Sequence, residues 1–331
     1  MDPKLNFVAH INAKCATARK GIGLLKQVGS YLPVKSLDQI FKMHIRPHLD
    51  YCHFIFHILA LSNNFNHDIN LNYQMRTLES IQYQAALAVS GAWKGTSRDK
   101  IYNELGWESL HNRREFRRMT QFYKIMNDLT PPYLREPVPE PRRLLFGSRS
   151  TNVLPLIPCK TDRYSNSFYP DAVTSWNNIG VELRSIQSLH LFKSALLKMI
   201  RPNKRAIFDI HNPDGIKRIY QLRVGLSPLR AHMKAHHFKD INDNTCACNG
   251  GAETTTHFLL VCPFFTVQRN ELIGIVSEIL KNFTDLTIIN QVDFLLYGLS
   301  SLNKFQNHDI LNATLSYMKK TRRFNNEVLS D

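Results

Sequence analysis

The chain has 331 residues, with 42 Lys and Arg against 27 Asp and Glu, which gives a formal net charge of +15. Hydrophobic residues make up 43% and aromatics 10%. That is enough apolar surface to offset the entropy of ordering, so a disordered or collagen-like chain is excluded and about two domains are expected. No apolar stretch follows Met1-Asp2-Pro3, and the longest apolar run, Phe54 to Leu61, is interrupted by His57. Neither secretion nor a membrane span is expected.

In chain order, Val8, Ile11, Cys15, Ile22 and Leu25 recur mostly at three- and four-residue steps, which predicts an amphipathic helix over 7–28 ending at Gly29. A second helix is predicted over 37–60, split after Arg46 by Pro47. The Asn-rich stretch 63–72 reads as a polar loop, and helical spacing resumes over 73–93 through Met75, Leu78, Ile81, Gln82, Ala85 and Val89. A short helix over 99–105 and a long one over 110–129 follow, the latter with Phe122, Tyr123 and Met126 on its apolar side. Seven prolines between 131 and 158 predict an extended linker with short strands. After it come an aromatic stretch over 168–176 and a helix over 189–200.

The expected architecture is therefore mainly α. A helical domain spans 1–130, a Pro-rich linker with an aromatic segment 131–188, and a basic helical segment 189–240. A small cysteine–histidine motif spans 241–265, and C-terminal helices occupy 266–331.

Charge is uneven along the chain. Residues 193–239 hold eleven Lys and Arg against two Asp, whereas 240–331 hold seven basic and ten acidic residues. The excess favours an anionic partner, and nucleic acid is the commonest for an intracellular chain. Lys217, Arg218, Arg223, Arg230 and Lys234 lie in that stretch. Arg113, Arg114, Arg117 and Arg118 form a second cluster, paired at i,i+4, where stacked like charges cost helix stability unless an anion meets them. Both clusters read either as phosphate contacts or as solvated charged faces. Trp93, Trp107 and Trp176 read either as base-stacking platforms or as core.

Cys15, Cys52 and Cys159 are scattered, whereas Cys246, Cys248 and Cys262 lie close together; no disulfide framework emerges, and a reducing intracellular setting, nucleus or cytoplasm, is expected. With His257, the three neighbours spell C-x-C-x8-H-x4-C within 17 residues. Three thiolates and an imidazole are the ligand set of a closed, structural Zn2+ site, with Asn249-Gly250-Gly251 as the turn between ligand pairs. A threonine among 254–256 would cap a short helical turn that Pro263 stops. The alternative is a set of buried cysteines without metal. His232 and His236 share a helical face and read either as ligands or, with no carboxylate or thiolate nearby, as part of the basic surface. The chain has no Asp-Asp pair, H-E-x-x-H, G-x-x-x-x-G-K, G-x-S-x-G or G-x-G-x-x-G, so no catalytic residue is expected.

Several blocks together resemble the C-terminal half of the reverse transcriptase polyprotein of non-LTR (LINE/jockey-like) retrotransposons. They are Phe7-x-x-His10-Ile11 with Gly23-Leu24-Leu25, Arg46-Pro47-His48-Leu49-Asp50-Tyr51-Cys52, Leu78-Glu79-x-Ile81-Gln82, and Glu104-Leu105-Gly106-Trp107. Pro132-Tyr133-Leu134, Ser167-Phe168-Tyr169-Pro170, Leu222-Arg223 and the motif from Cys246 to Cys262-Pro263 continue the series. The resemblance implies a helical thumb over residues 1–130 and a C-terminal zinc knuckle that binds element RNA or target DNA. It implies no catalysis, because the family's Tyr-x-Asp-Asp motif has no counterpart here; a palm-bearing reverse transcriptase would have to act in trans. The C-x-C spacing is tighter than the C-x2-C of retroviral knuckles. The alternative is a domesticated or relic fragment acting as a protein–protein scaffold.

Overall fold

The computed structural model describes residues 8–51, 69–141, 153–165, 167–200, 213–239 and 241–324. The fold is mainly helical. Among the described residues there is no strand, only an isolated antiparallel bridge between Thr245 and Ala252. None of the described helices is long and apolar enough to cross a membrane.

The first helix runs over Val8–Val28 and buries Ile11, Cys15, Ala18, Ile22 and Leu25, a single stripe at alternating four- and three-residue steps. Helix Val34–Ile40 opens into a π-type turn over Phe41–Ile45, and a short helix restarts at Arg46–Asp50 with Pro47 in its first turn. Proline is tolerated there because the N–H it lacks has no intrahelical partner anyway. The expected split after Arg46 is not present: helical turns run without a gap from Val34 to Asp50, and the departure from α geometry is the π-type turn that ends before Arg46. The remainder of the predicted helix, from Cys52 to Ala60, lies outside the described residues. So do residues 63–68 of the expected loop. The next helix begins at Ile69, earlier than the predicted start at Tyr73, and runs to Ser90 with Leu78, Ile81, Gln82, Ala85 and Val89 buried. Arg98–Leu105 and Leu110–Met126 follow, the latter capped by Ser109, whose side chain accepts from the Asn112 N–H at 3.1 Å.

The chain divides into two compact units that do not follow the predicted domain boundaries. Unit 1 comprises Met1–Gly21, Lys42–Tyr83 and Gly106–Asn203, and unit 2 comprises Ile22–Phe41, Gln84–Leu105 and Lys204–Asp331. Residues 1–130 are therefore shared between the units and do not form a domain of their own.

In unit 1, Met119, Phe122, Tyr123 and Ile125 of helix Leu110–Met126 pack with Ala172, Val173 and Trp176 of helix Phe168–Asn178 and with Phe192 and Leu196 of helix Leu189–Ile200. Trp176 meets Phe122 edge-on at 5.6 Å, and Tyr123 stacks on Phe192 at 4.3 Å. Each such side chain contributes about 1.5–3 kcal/mol through removal from water. The Pro-rich stretch belongs to this core. Val138 and Leu154 are buried in it, and Asn177 satisfies both backbone groups of Leu154, donating to its carbonyl and accepting from its N–H at 2.9 Å each. Tyr169 donates to the Leu134 carbonyl at 3.1 Å. Prolines cannot complete a ladder, so side chains take over the backbone's partners; the expected linker is a packed segment, and the expected short strands are absent among its described residues.

In unit 2, helix Pro213–Val224 sits against two turns: Lys217 donates to the Gly29 carbonyl at 2.7 Å and Gln221 to that of Gly91 at 2.9 Å. Helices Thr266–Ile279, Ile288–Tyr297 and Lys304–Thr321 form the C-terminal part. The last begins with a reciprocal capping box between Asn303 and Gln306, and Thr314 ties it to the Leu295 carbonyl at 3.0 Å.

Candidate metal centre and basic surfaces

Cys246, Cys248, His257 and Cys262 converge, with one donor atom from each lying within 4.8 Å of all the others. Two local structures bring them together. In the first, Thr245 and Ala252 pair, Cys246 N–H donates to the Gly251 carbonyl at 2.8 Å, and Glu253 N–H donates to that of Asn244 at 2.8 Å. The turn between them needs Gly251, at φ 126°, a region that side chains rarely adopt. It also needs Gly250, where a Cβ would stand 3.3 Å from the Cys248 sulfur. The backbone N–H of Gly250 donates to that sulfur at 3.3 Å.

The second is the His257–Val261 turn, closed by the Cys262 N–H on the His257 carbonyl at 2.7 Å. In an α-helix the fifth residue on would fall about 140° around the axis. The wider i→i+5 turn returns Cys262 to the side of His257. Thr254 supplies the expected cap, accepting from the His257 N–H at 3.1 Å, and Pro263 follows the turn as anticipated.

The spacings test whether these residues fit an ion. The sulfurs of Cys246 and Cys262 are 3.8 Å apart, and the Cys248 sulfur is 3.2 Å from His257 Nε2. Ligands on one tetrahedral ion with bonds of about 2.0–2.3 Å stand roughly 3.3–3.8 Å apart. The four donors can therefore hold a metal ion. The three thiols differ in their electrostatics. Burial pushes the Cys246 thiol up to about 12 and raises that of Cys262. Burial acts upward on Cys248 too, but the Gly250 N–H and hydrogen bonding with Cys246 and Cys262 outweigh it, so that thiol lies below its usual value. Only a bound cation makes three adjacent thiolates compatible at neutral pH.

Residues that the sequence reading passed over fix the ligand turn. Buried Arg269 donates to the Leu259 carbonyl at 3.2 Å and also to that of Cys262; Tyr317 donates to the Phe258 carbonyl. The phenyl ring of Phe258, fully buried, packs against Phe265, Tyr317 and Phe324 at 5.1–5.6 Å. Glu253 accepts two bonds from Arg323, at 2.6 and 2.8 Å, and one from the Arg230 N–H at 2.8 Å, which anchors the short helix Arg230–Ala235.

The basic clusters divide differently from the sequence expectation. Arg113 pairs with Asp50 at 2.7 Å, and Arg117 reaches the same carboxylate oxygen at 3.1 Å. Arg118 is buried between Glu115 and Asp171. Arg114, 3% exposed, donates to the Leu49 carbonyl at 3.3 Å; burial lowers its guanidinium to about 10 despite the opposing fields of Asp50 and Glu79. The anions that these stacked charges require are the protein's own carboxylates. Arg223 needs the same correction: its side chain, 2% exposed, pairs with Glu104 at 2.7 Å, donates to the Leu296 carbonyl at 2.8 Å and lies over the Tyr297 ring. Lys217 holds the Gly29 turn, and Arg218 donates to Gln221 at 2.9 Å and faces the Phe324 ring. Of the nine expected nucleic-acid contacts, Arg230 and Lys234 are exposed.

His232 lies outside the four-donor cluster. Its Nδ1 lies 2.8 Å from Ser227 Oγ and its Nε2 3.4 Å from Thr255 Oγ1. Burial, with the fields of His236 and Lys100, brings it down to about 4. Trp107 and Trp176 are buried at 4% and 2%, as core, whereas Trp93 is half-buried against Phe238. Comparison of the chain with protein-family models, with curated proteins and with solved structures found no match.

Proposed function

We propose that this chain is a nucleic-acid-binding protein whose unit 2 is held together by one structural zinc ion. We further propose that it corresponds to the C-terminal part of a non-LTR retrotransposon reverse transcriptase, without polymerase activity of its own. The observation that carries the reading is the four-donor cluster of Cys246, Cys248, His257 and Cys262, whose donor atoms lie within 4.8 Å of one another, joined through Glu253 to the exposed basic helix Arg230–Ala235. Three thiolates and an imidazole select zinc among common intracellular ions, and four protein ligands leave no position for substrate, so the ion's work is structural. Holding the ligand turn fixes Glu253, and Glu253 fixes the helix that presents Arg230 and Lys234.

Binding of this kind is dominated by phosphate contacts and releases counterions. The test is anisotropy of labelled RNA and DNA oligonucleotides across a salt series, for the wild type and for a Cys246→Ser/Cys248→Ser variant. A linear fall of log affinity with log salt in the wild type, and loss of metal and affinity together in the variant, is the expected result. A slope near zero contradicts the reading. Polymerisation on a primed template by the chain alone would contradict the non-catalytic assignment.

A scaffold role is favoured by one feature, the exposed apolar side chains Ile288, Ile289 and Phe305 at 54%, 73% and 80%. Salt-insensitive association with a protein would support that second reading.

A further inference from the structure

Unit 2 carries a pair of aromatic rings that the core does not absorb. Trp93 and Phe238 lie with ring centroids 5.2 Å apart at 47°, each half-buried. The other two tryptophans, Trp107 and Trp176, are 4% and 2% exposed, which shows what a core indole looks like in this protein. Both partners of the pair are set by turns. Gly91, at φ 67°, ends the helix before Trp93, and Thr96 closes back on the Trp93 carbonyl through its N–H at 3.2 Å and its hydroxyl at 2.8 Å. After helix Arg230–Ala235, His237 adopts φ 53°, and Phe238 N–H donates to the Met233 carbonyl at 3.1 Å, which swings the phenyl ring back. The Gln221 bond to the Gly91 carbonyl holds the first turn on helix Pro213–Val224.

The two segments bring charge with them. Residues 93–100 and 230–239 together contain six Lys and Arg against the single carboxylate of Asp99. Lys94, Lys234 and Lys239 are exposed and make no ion pair among the described residues. Lys100, also exposed, donates to the Val224 carbonyl at 3.2 Å. Asp243, which feels the field of Lys234, is occupied by the N–H and hydroxyl of Thr245.

Part-exposed rings on segments that also carry exposed lysines match single-stranded nucleic acid. An unpaired base offers a π-face to an indole, its phosphates need cations a few ångströms away, and a duplex presents no such face. We propose that Trp93 and Phe238, flanked by Lys94, Lys234 and Lys239, form a platform on which single-stranded nucleic acid stacks a base. This inference rests on the nucleic-acid reading above and narrows it to a substrate class and a place.

Tryptophan emission tests it, because Trp93 is the accessible indole. The full chain is titrated with short oligodeoxythymidine and, separately, with a hairpin duplex of similar charge. The expected result is saturable quenching by the single strand, with the single strand bound more tightly than the duplex. Trp93→Leu and Phe238→Leu should each weaken the single strand about tenfold and leave duplex binding unchanged. Metal content and the melting transition report whether each variant folds. A Lys94→Glu/Lys234→Glu/Lys239→Glu variant, altered only at exposed positions, should weaken the single strand and flatten its salt dependence. If single-strand affinity, read for the variants by anisotropy of the labelled oligonucleotide, is unchanged in both ring variants while the charge variant loses binding, the platform is overturned and the nucleic-acid reading stands. If the wild type binds neither probe, both fail.

Discussion

Helix Leu110–Met126 in unit 1 and residues 230–239 in unit 2 carry similar densities of cationic side chains and put them to opposite uses. In the first, Arg113, Arg114, Arg117 and Arg118 turn toward Asp50, Glu115, Asp171 and the Leu49 carbonyl, so their charge is consumed inside the fold. In the second, no acidic residue lies within the stretch, and Arg230, Lys234 and Lys239 stand in solvent. The difference is one of surroundings. A guanidinium on a helix that also carries Leu110, Met119 and Phe122 is drawn toward the core and has to be paired there. A lysine on a short helix that buries none of its residues has no such pull.

The largest effect expected concerns the metal proposed for the cysteine–histidine cluster. Replacing Cys262 with Ser removes a donor buried at 0% exposure, and should cost on the order of 5 kcal/mol of unit 2 stability together with the bound ion. Chelator titration followed by circular dichroism should reproduce the loss in the wild type. Next in size, Arg118→Ala removes the ion pairs with Asp171 and Glu115. About 3 kcal/mol of stability should be lost in denaturant melts, with nucleic-acid affinity and its salt slope unchanged. Equal loss of affinity in this variant would erase the contrast between the two clusters.

His232 sharpens the comparison through pH. In the folded unit it titrates at about 4, and in the unfolded chain at about 6.5. Above pH 6.5 both forms are neutral. As pH falls from about 6.5 to about 4 only the unfolded chain takes up the proton, so unit 2 loses stability over that window. His232→Gln should reduce the slope of melting temperature against pH there, and an unchanged slope would remove His232 as its source. A smaller loss, about 1.5 kcal/mol, is expected for Tyr317→Phe, which leaves the Phe258 carbonyl in the ligand turn without its donor. Smallest in stability, Lys234→Glu with Lys239→Glu should change melting by no more than about 0.5 kcal/mol. The same pair should reduce the magnitude of the salt slope by about two.

Much of this was legible in the sequence where one principle acted alone. The stripe of Ile11, Cys15, Ile22 and Leu25 and the Thr254 cap are local, and the structure has both. The convergence of Cys246, Cys248, His257 and Cys262 was legible because soft donors at close spacing have few other uses. What could not be read depends on partners distant in sequence. Nothing near Arg118 announces Asp171, nothing near Arg223 announces Glu104, and nothing near Leu154 announces the Asn177 amide that turns a proline-rich stretch into core. Trp93 became distinguishable from Trp107 and Trp176 only once Phe238 and the lysines around it were placed.

The central claim is that the cysteine–histidine cluster is a closed tetrahedral metal centre. Cobalt substitution tests it most directly: the chain is stripped, titrated with Co2+ and followed by visible absorption, with elemental analysis of the zinc form alongside. One ion per chain, intense tetrahedral d–d bands with thiolate charge-transfer absorption, and displacement of cobalt by zinc are the expected result. Weak octahedral bands, or the same spectrum from a Cys246→Ser/Cys262→Ser variant, would contradict it.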